Sequence, residues 1–127
     1  MIHDRHFTPE EADALLPMIE PLLQELAGAK DSLTDAEAHR VLAEASAENG
    51  GGTEGKQVGE AFLHVRGILA ALHEAGVVVR DIDRGLIDFP AVIDGSEVYL
   101  CWQSGEETVG FWHELDSGFR ERRPLER

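Results

Sequence analysis

The sequence predicts an α+β fold: an antiparallel pair of long helices with a shorter helical arm, packed on a three- to four-stranded antiparallel β-sheet. Three observations predict it. Apolar residues recur at helical spacing up to Gly76, the period changes to two from Val77, and Asp94-Gly95 separates two strand-like runs. A chain of 127 residues is the usual size of one domain. A single domain over 1–127 is therefore expected, with a helical part over about 8–75, a β part over about 77–114 and a tail over 115–127.

Thr8-Pro9-Glu10-Glu11 reads as a helix start. Thr8 caps, Pro9 suits the first helical position, and Glu11 reaches back as in a capping box. Ala12, Leu15, Leu16, Ile19, Leu22, Leu23 and Leu26 then share one face. Pro17 and Pro21 each remove an amide donor, so the helix is expected to kink there or to restart near Leu16. Thr34-Asp35-Ala36-Glu37 opens a weaker helix carrying Ala38, Val41, Leu42 and Ala45, which ends before Asn49-Gly50-Gly51-Gly52. The glycine run reads as a connector. It is no phosphate loop, because Gly55-Lys56-Gln57 lacks the hydroxyl residue and follows a helix instead of a strand. The third helix is expected from about Gln57 to Ala75, with Val58, Phe62, Val65, Leu69 and Leu72 packing along the first helix and Gly76 as the stop.

Asp94-Gly95 predicts a hairpin of Leu86–Ile93 with Ser96–Trp102. A two-residue turn pairs Ile93 with Ser96, Ala91 with Val98, Phe89 with Leu100 and Ile87 with Trp102, all on one apolar face. Asp88 then lies opposite Cys101 and Pro90 opposite Tyr99 on the other face. A three-residue loop at Ser104-Gly105-Glu106 brings in a further strand, Glu107–Glu114. Trp112 then joins the apolar face, while Val109, Phe111 and His113 join the second. Tyr99, Cys101, Val109 and Phe111 would leave that second face apolar and exposed unless it is covered. A homodimer is the expected cover, with the C-terminal tail folding back as the alternative.

Composition narrows the function classes. The formal charge is −14, from 25 acidic and 11 basic residues, which argues against a nucleic-acid partner. Arg120, Arg122, Arg123 and Arg127 nevertheless make the C-terminal end basic. One Cys excludes an internal disulfide and fits a reducing, cytoplasmic compartment. No apolar run reaches the length of a membrane span, and the N-terminus is not a basic-then-apolar leader.

The combination GLIDFP at Gly85–Pro90, YLCW at Tyr99–Trp102, Gly105-Glu106, and FWHELDSGF at Phe111–Phe119 followed by Arg122 resembles the bacterial domain-of-unknown-function family numbered 2203. FTPEEADALLP at Phe7–Pro17 is similar to that family's opening. The resemblance covers essentially the whole chain and implies a small bacterial protein with no established activity. It supplies no catalytic residue.

Both Trp, the single Tyr and the single Cys lie in the last third, so recognition is expected there. Candidate binding residues are Asp88, Tyr99, Cys101, Trp102, Glu106, Phe111, His113, Asp116 and Arg122. A Cys101 nucleophile with His113 as base is disfavoured, because the register above places His113 roughly 13 Å away along the strand. His113 is expected opposite Glu97 as a cross-strand pair. Asp81, Asp83 and Asp88 around Gly85 form an Asp-x-Asp-x-Gly-x-x-Asp pattern suited to Ca²⁺ or Mg²⁺. A second constellation, His113, Glu114 and Asp116, has one nitrogen ligand, and zinc is not expected because it ordinarily takes more His or Cys than the chain is expected to assemble. The competing reading is a polar turn with Asp83-Arg84-Gly85 at its tip. Arg122 is expected to pair internally, with Asp116 as partner, or to hold an anion. His64 and His73 are expected at the helix surface, and His3 and His6 in a mobile N-terminus. No cofactor is expected beyond a possible divalent ion. The favoured function is a non-enzymatic cytoplasmic interaction or regulatory module, self-associating. The alternative is a metal-dependent hydrolase or small-anion-binding protein using the carboxylate, His and Arg cluster.

Overall fold

The computed structural model describes residues 1–46 and 59–127. The glycine run, Gly55-Lys56-Gln57 and Val58 lie outside the described residues. Helix α1 spans Pro9–Lys30. Its start is the expected capping box: the Glu11 amide donates to Thr8 Oγ1 at 3.1 Å, and the Thr8 amide donates to the Glu11 carboxylate at 2.8 Å. The helix does not restart near Leu16 but runs continuously through Pro17 and Pro21. Both prolines lie on the exposed side, so the carbonyls deprived of a partner face water. The opposite side, with Ala12, Leu16, Ile19, Leu23 and Leu26, is buried.

Helix α2, Asp35–Ser46, begins with a second reciprocal cap between Thr34 and Glu37. Glu37 also accepts from the Gly59 amide at 3.1 Å, which ties the start of α2 to that of α3. Helix α3, Glu60–Glu74, buries Phe62, Val65, Ile68 and Leu72; Leu69, expected in that row, is only partly buried. α3 packs against α1 and α2. Among the described residues no helix is long and apolar enough to cross a membrane.

The sheet has five strands instead of three or four, all antiparallel and in chain order: β1 (Val78–Asp81), β2 (Leu86–Ile93), β3 (Ser96–Gln103), β4 (Phe111–Glu114) and β5 (Arg123–Pro124). The additional strands are short edge pieces. The β2–β3 hairpin has the expected register at every pair, including Asp88 opposite Cys101. Asp94 and Gly95 both take positive φ, 51° and 80°, as a tight two-residue turn requires. Pro90 sits in β2 just beyond the last residue paired with β1, where the strand has a free edge and a missing amide costs no ladder bond. On that free edge the Phe7 amide donates to the Pro90 carbonyl at 2.7 Å.

The β3–β4 register differs from the expected one. Cys101 pairs with Phe111 and Tyr99 with His113, a displacement of two residues. The chain leaves the ladder after Gln103 and rejoins it only at Phe111. The loop between is built around Glu106: its carbonyl accepts from the Trp102 indole at 2.9 Å and its carboxylate from the Gln103 amide at 2.7 Å. Val109 leaves the sheet altogether. It is buried in the main core, and its amide donates to Asp13 of α1 at 2.8 Å. A two-residue displacement keeps each side chain on its face, so Trp112 still joins Leu100 and Trp102 while Phe111 and His113 still join Cys101 and Tyr99.

One sheet face, with Ile87, Phe89, Ala91, Val98, Leu100 and Trp102, packs on the helices. The other is also closed, by the chain itself. Residues 1–6 lie across β3 as a strap: the Ile2 and His3 amides and His6 Nε2 all bond to the Glu97 carboxylate, and His3 Nε2 lies 2.7 Å from the Tyr99 hydroxyl. The N-terminal histidines expected to be mobile are therefore docked. Arg122, from the C-terminal segment, stacks on Phe111 at 3.8 Å. Tyr99 and Cys101 are buried beneath this cover, which removes the observation that pointed to a second copy of the chain.

Candidate functional site

The second sheet face carries the buried polar residues Asp88 (1% exposed) and His113 (3%). Neighbouring strands bring them together: β2 holds Asp88, β3 holds Cys101 opposite it, and β4 holds His113 one pair further along. His113 Nε2 lies 3.1 and 3.0 Å from the two Asp88 oxygens. His113 Nδ1 lies 2.8 Å from the Glu114 carbonyl oxygen. A carbonyl only accepts, so Nδ1 carries a hydrogen and donates to it, which leaves Nε2 facing the carboxylate.

The third partner of Asp88 is Arg80, whose Nε donates to Oδ2 at 2.8 Å. Arg80 sits where the β1–β2 register slips between Val79 and Asp81, so it is the extra residue of a bulge. A bulge re-aims its side chain, and here the guanidinium lies over the Tyr99 ring at 4.8 Å. Period-two reading misses Arg80 because a bulge breaks the alternation on which that reading depends.

Cys101 Sγ, a carboxylate oxygen of Asp88 and a ring nitrogen of His113 all lie within 4.8 Å of one another. The separation of roughly 13 Å expected between Cys101 and His113 is thus wrong, and the cause is the displaced register. Proximity does not make Cys101 a nucleophile. Burial, reinforced by the charge of Asp88, pushes its thiol up to about 12, and the thiolate is the reactive form.

A cleft of about 320 Å³ opens over this group, lined by Arg80, Leu86, Asp88, Cys101, His113 and the segment Leu115–Phe119. Asp116, Ser117 and Gly118 form one wall. Of the nine binding candidates read from the sequence, Asp88, Cys101, His113 and Asp116 meet at this cleft. Tyr99 lies beneath the strap, 5.5 Å from the His113 ring centre to centre. Trp102 is fully buried in the core. Glu106 and Arg122 hold each other in a two-pronged pair at 3.1 and 2.8 Å, with Arg122 between the rings of Phe111 and Phe119. Arg122 is internally paired as expected, but with Glu106 and not Asp116.

The acidic turn pattern does not assemble. Asp81 accepts from the Arg84 amide at 3.1 Å, as in a polar turn, and Asp83 pairs with Lys30 at 2.8 Å. Among the described residues the metal-competent cluster is Asp88, Cys101 and His113, without Asp81, Asp83 or Asp116. Nor does Glu97 meet His113; its register partner is Val92, and its carboxylate holds the strap.

No curated protein and no solved structure matches the chain. A sequence model of a family described as an uncharacterized conserved protein does match, over residues 5–125, a span that takes in every residue of the cleft. With nearly the whole chain inside that match, the protein belongs to the DUF2203 family.

Proposed function

We propose that the protein acts by binding, not catalysis, and that its working surface is the cleft over Asp88 and His113, which accepts a small anion. The observation that carries this reading is the Arg80 guanidinium. Its Nε is committed to Asp88, but the side chain is 42% exposed and neither Nη atom has a hydrogen-bond partner among the described residues. A planar cation fixed at one end by a buried carboxylate presents its remaining donors in a set geometry, which suits a carboxylate or phosphate oxygen. The net charge of −14 makes such a fixed cation a local exception in the field of the molecule. The high Cys101 thiol and the internally paired Arg122 support binding over covalent chemistry.

The test is nitrogen-15 NMR of chelator-treated protein titrated with inorganic phosphate and with small mono- and dicarboxylates. Saturable shifts are expected at Arg80 and at Ser117–Phe119, and Arg80→Gln should abolish them. Shifts that are absent, or that spread without saturation over the basic C-terminal residues, would sink the reading.

A further inference from the structure

We infer that Asp88, Cys101 and His113 form a binding site for one thiophilic divalent transition metal ion, with Zn²⁺ the best match and the fourth coordination position open to the cleft. This deepens the binding reading, since it gives the cleft a floor that itself takes an oxygen ligand. It rests on different atoms, however, and its test is separate.

The donor set comes first. One sulfur, one imidazole nitrogen and one carboxylate oxygen, all within 4.8 Å of one another, suit Zn²⁺ better than Ca²⁺ or Mg²⁺, which take oxygen ligands. Three protein donors beside an open cleft is the arrangement of zinc sites that keep a position for water or ligand. Tetrahedral bonds of ordinary length hold donor atoms about 3.3–3.6 Å apart. His113 Nε2 and the Asp88 oxygens, now at 3.0 and 3.1 Å, need to part by only a few tenths of an ångström.

Orientation comes second. A metal-binding histidine is usually fixed by a hydrogen bond from its other nitrogen to a carbonyl or carboxylate. His113 Nδ1 makes that bond to the Glu114 carbonyl at 2.8 Å, which aims Nε2 at Asp88 and Cys101. The outer partners are also in place: Arg80 on Asp88 Oδ2 at 2.8 Å, and Arg122 Nη1 at 4.0 Å from Cys101 Sγ.

Charge balance comes third. A metal takes the sulfur as thiolate and the imidazole as a neutral ligand. The Asp88 carboxylate and a metal-bound Cys101 thiolate then set two negative charges against the two positive charges of a divalent ion, so the filled site holds no uncompensated charge. The thiol that burial holds protonated becomes a thiolate only because the metal is there to ligate it.

The experiment uses full-length, tag-free protein stripped with chelator and titrated with Co²⁺, then with Zn²⁺ in competition. The expected result is one ion per chain, tetrahedral ligand-field bands, a sulfur-to-cobalt charge-transfer band, and proton release on binding, as loss of the thiol proton requires, by calorimetry in buffers of different ionisation enthalpy. Cys101→Ser should remove the charge-transfer band and weaken binding by more than the roughly 10–100-fold expected when only an outer hydrogen-bond partner is lost. Wild-type protein reads out the sulfur directly, so the test stands even where His113→Gln fails to fold. Absence of saturable binding overturns the inference. So does a cobalt complex without the sulfur band, or binding unchanged in Cys101→Ser, which would place the ion away from Cys101. Anion binding is tested on chelated protein, so either result leaves the other open.

Discussion

Asp88 shows how much one residue can carry: a carboxylate 1% exposed that satisfies both His113 and Arg80. Removing the carboxylate leaves the buried His113 Nε2 without a partner, while the half-exposed Arg80 returns to water. Asp88→Ala should therefore lower stability by about 1–3 kcal/mol, read from the midpoint of urea unfolding; an unchanged midpoint would mean that water reaches His113 in the folded state. Cys101 gives a prediction with the opposite pH sense to a salt bridge. Its thiol is pushed up to about 12 when folded, against about 8.5 in an unfolded chain. The unfolded chain thus loses this proton first. The contribution is complete below about pH 8.5 and declines as pH rises through the folded value. Cys101→Ala should flatten the alkaline limb of the stability profile, and an unchanged limb would show that another group causes it.

At the scale of elements, α1 carries two prolines that do not break it. Each still forfeits a hydrogen bond within the helix, and both side chains are exposed. Pro17→Ala should therefore raise stability by about 1–3 kcal/mol, the restored bond outweighing the freer unfolded chain. A lower melting temperature would show that Pro17 packs against something the helix needs. The strap over residues 1–6 depends on Glu97. Withdrawal from water pushes this carboxyl up, but the bonds from His6 and from the Ile2 and His3 amides prevail and hold it down at about 2. A carboxyl depressed by folding stabilises above its unfolded value, about 4.3, and loses that effect as pH falls through the folded one. The Ile2 and His3 amides should stay protected from hydrogen exchange at pH 5 and lose protection between about pH 4 and pH 2. Glu97→Gln should release them at neutral pH, and continued protection there would mean that the contact between His3 and Tyr99 suffices.

Both ends of the molecule close back on its body. The strap crosses the sheet, and at the other end Arg127 bonds Asp13 at 2.6 Å and the Val109 carbonyl at 2.8 Å. These pairs sit within a chain of net charge −14, whose summed repulsion opposes compaction. Screening weakens that long-range repulsion more than short, partly buried pairs. Raising NaCl from about 0.01 M to about 0.15 M should therefore raise the melting temperature. A fall would show that exposed ion pairs such as Lys30 with Asp83 and Glu25 with His64 outweigh the net charge.

Elements whose determinants are local were legible in the sequence: the Thr8 and Thr34 caps, the apolar face of α1, and the Asp94-Gly95 hairpin with its full register. In each, a few neighbouring residues satisfy the backbone or set the period. The polar face was legible too, because alternation in a strand survives a shift of two residues. The assembly of the site was not. The distance between Cys101 and His113 depends on where β4 rejoins the ladder, and that is decided by Glu106 and Val109 bonding to Arg122 and Asp13, far away along the chain. Arg80 reaches Asp88 only through a bulge, and the cover over Tyr99 comes from the opposite end of the chain. The sequence by itself determined which residues share a face; only the tertiary structure decided which of them touch, because loop length and the docking of the ends are fixed by contacts between distant segments.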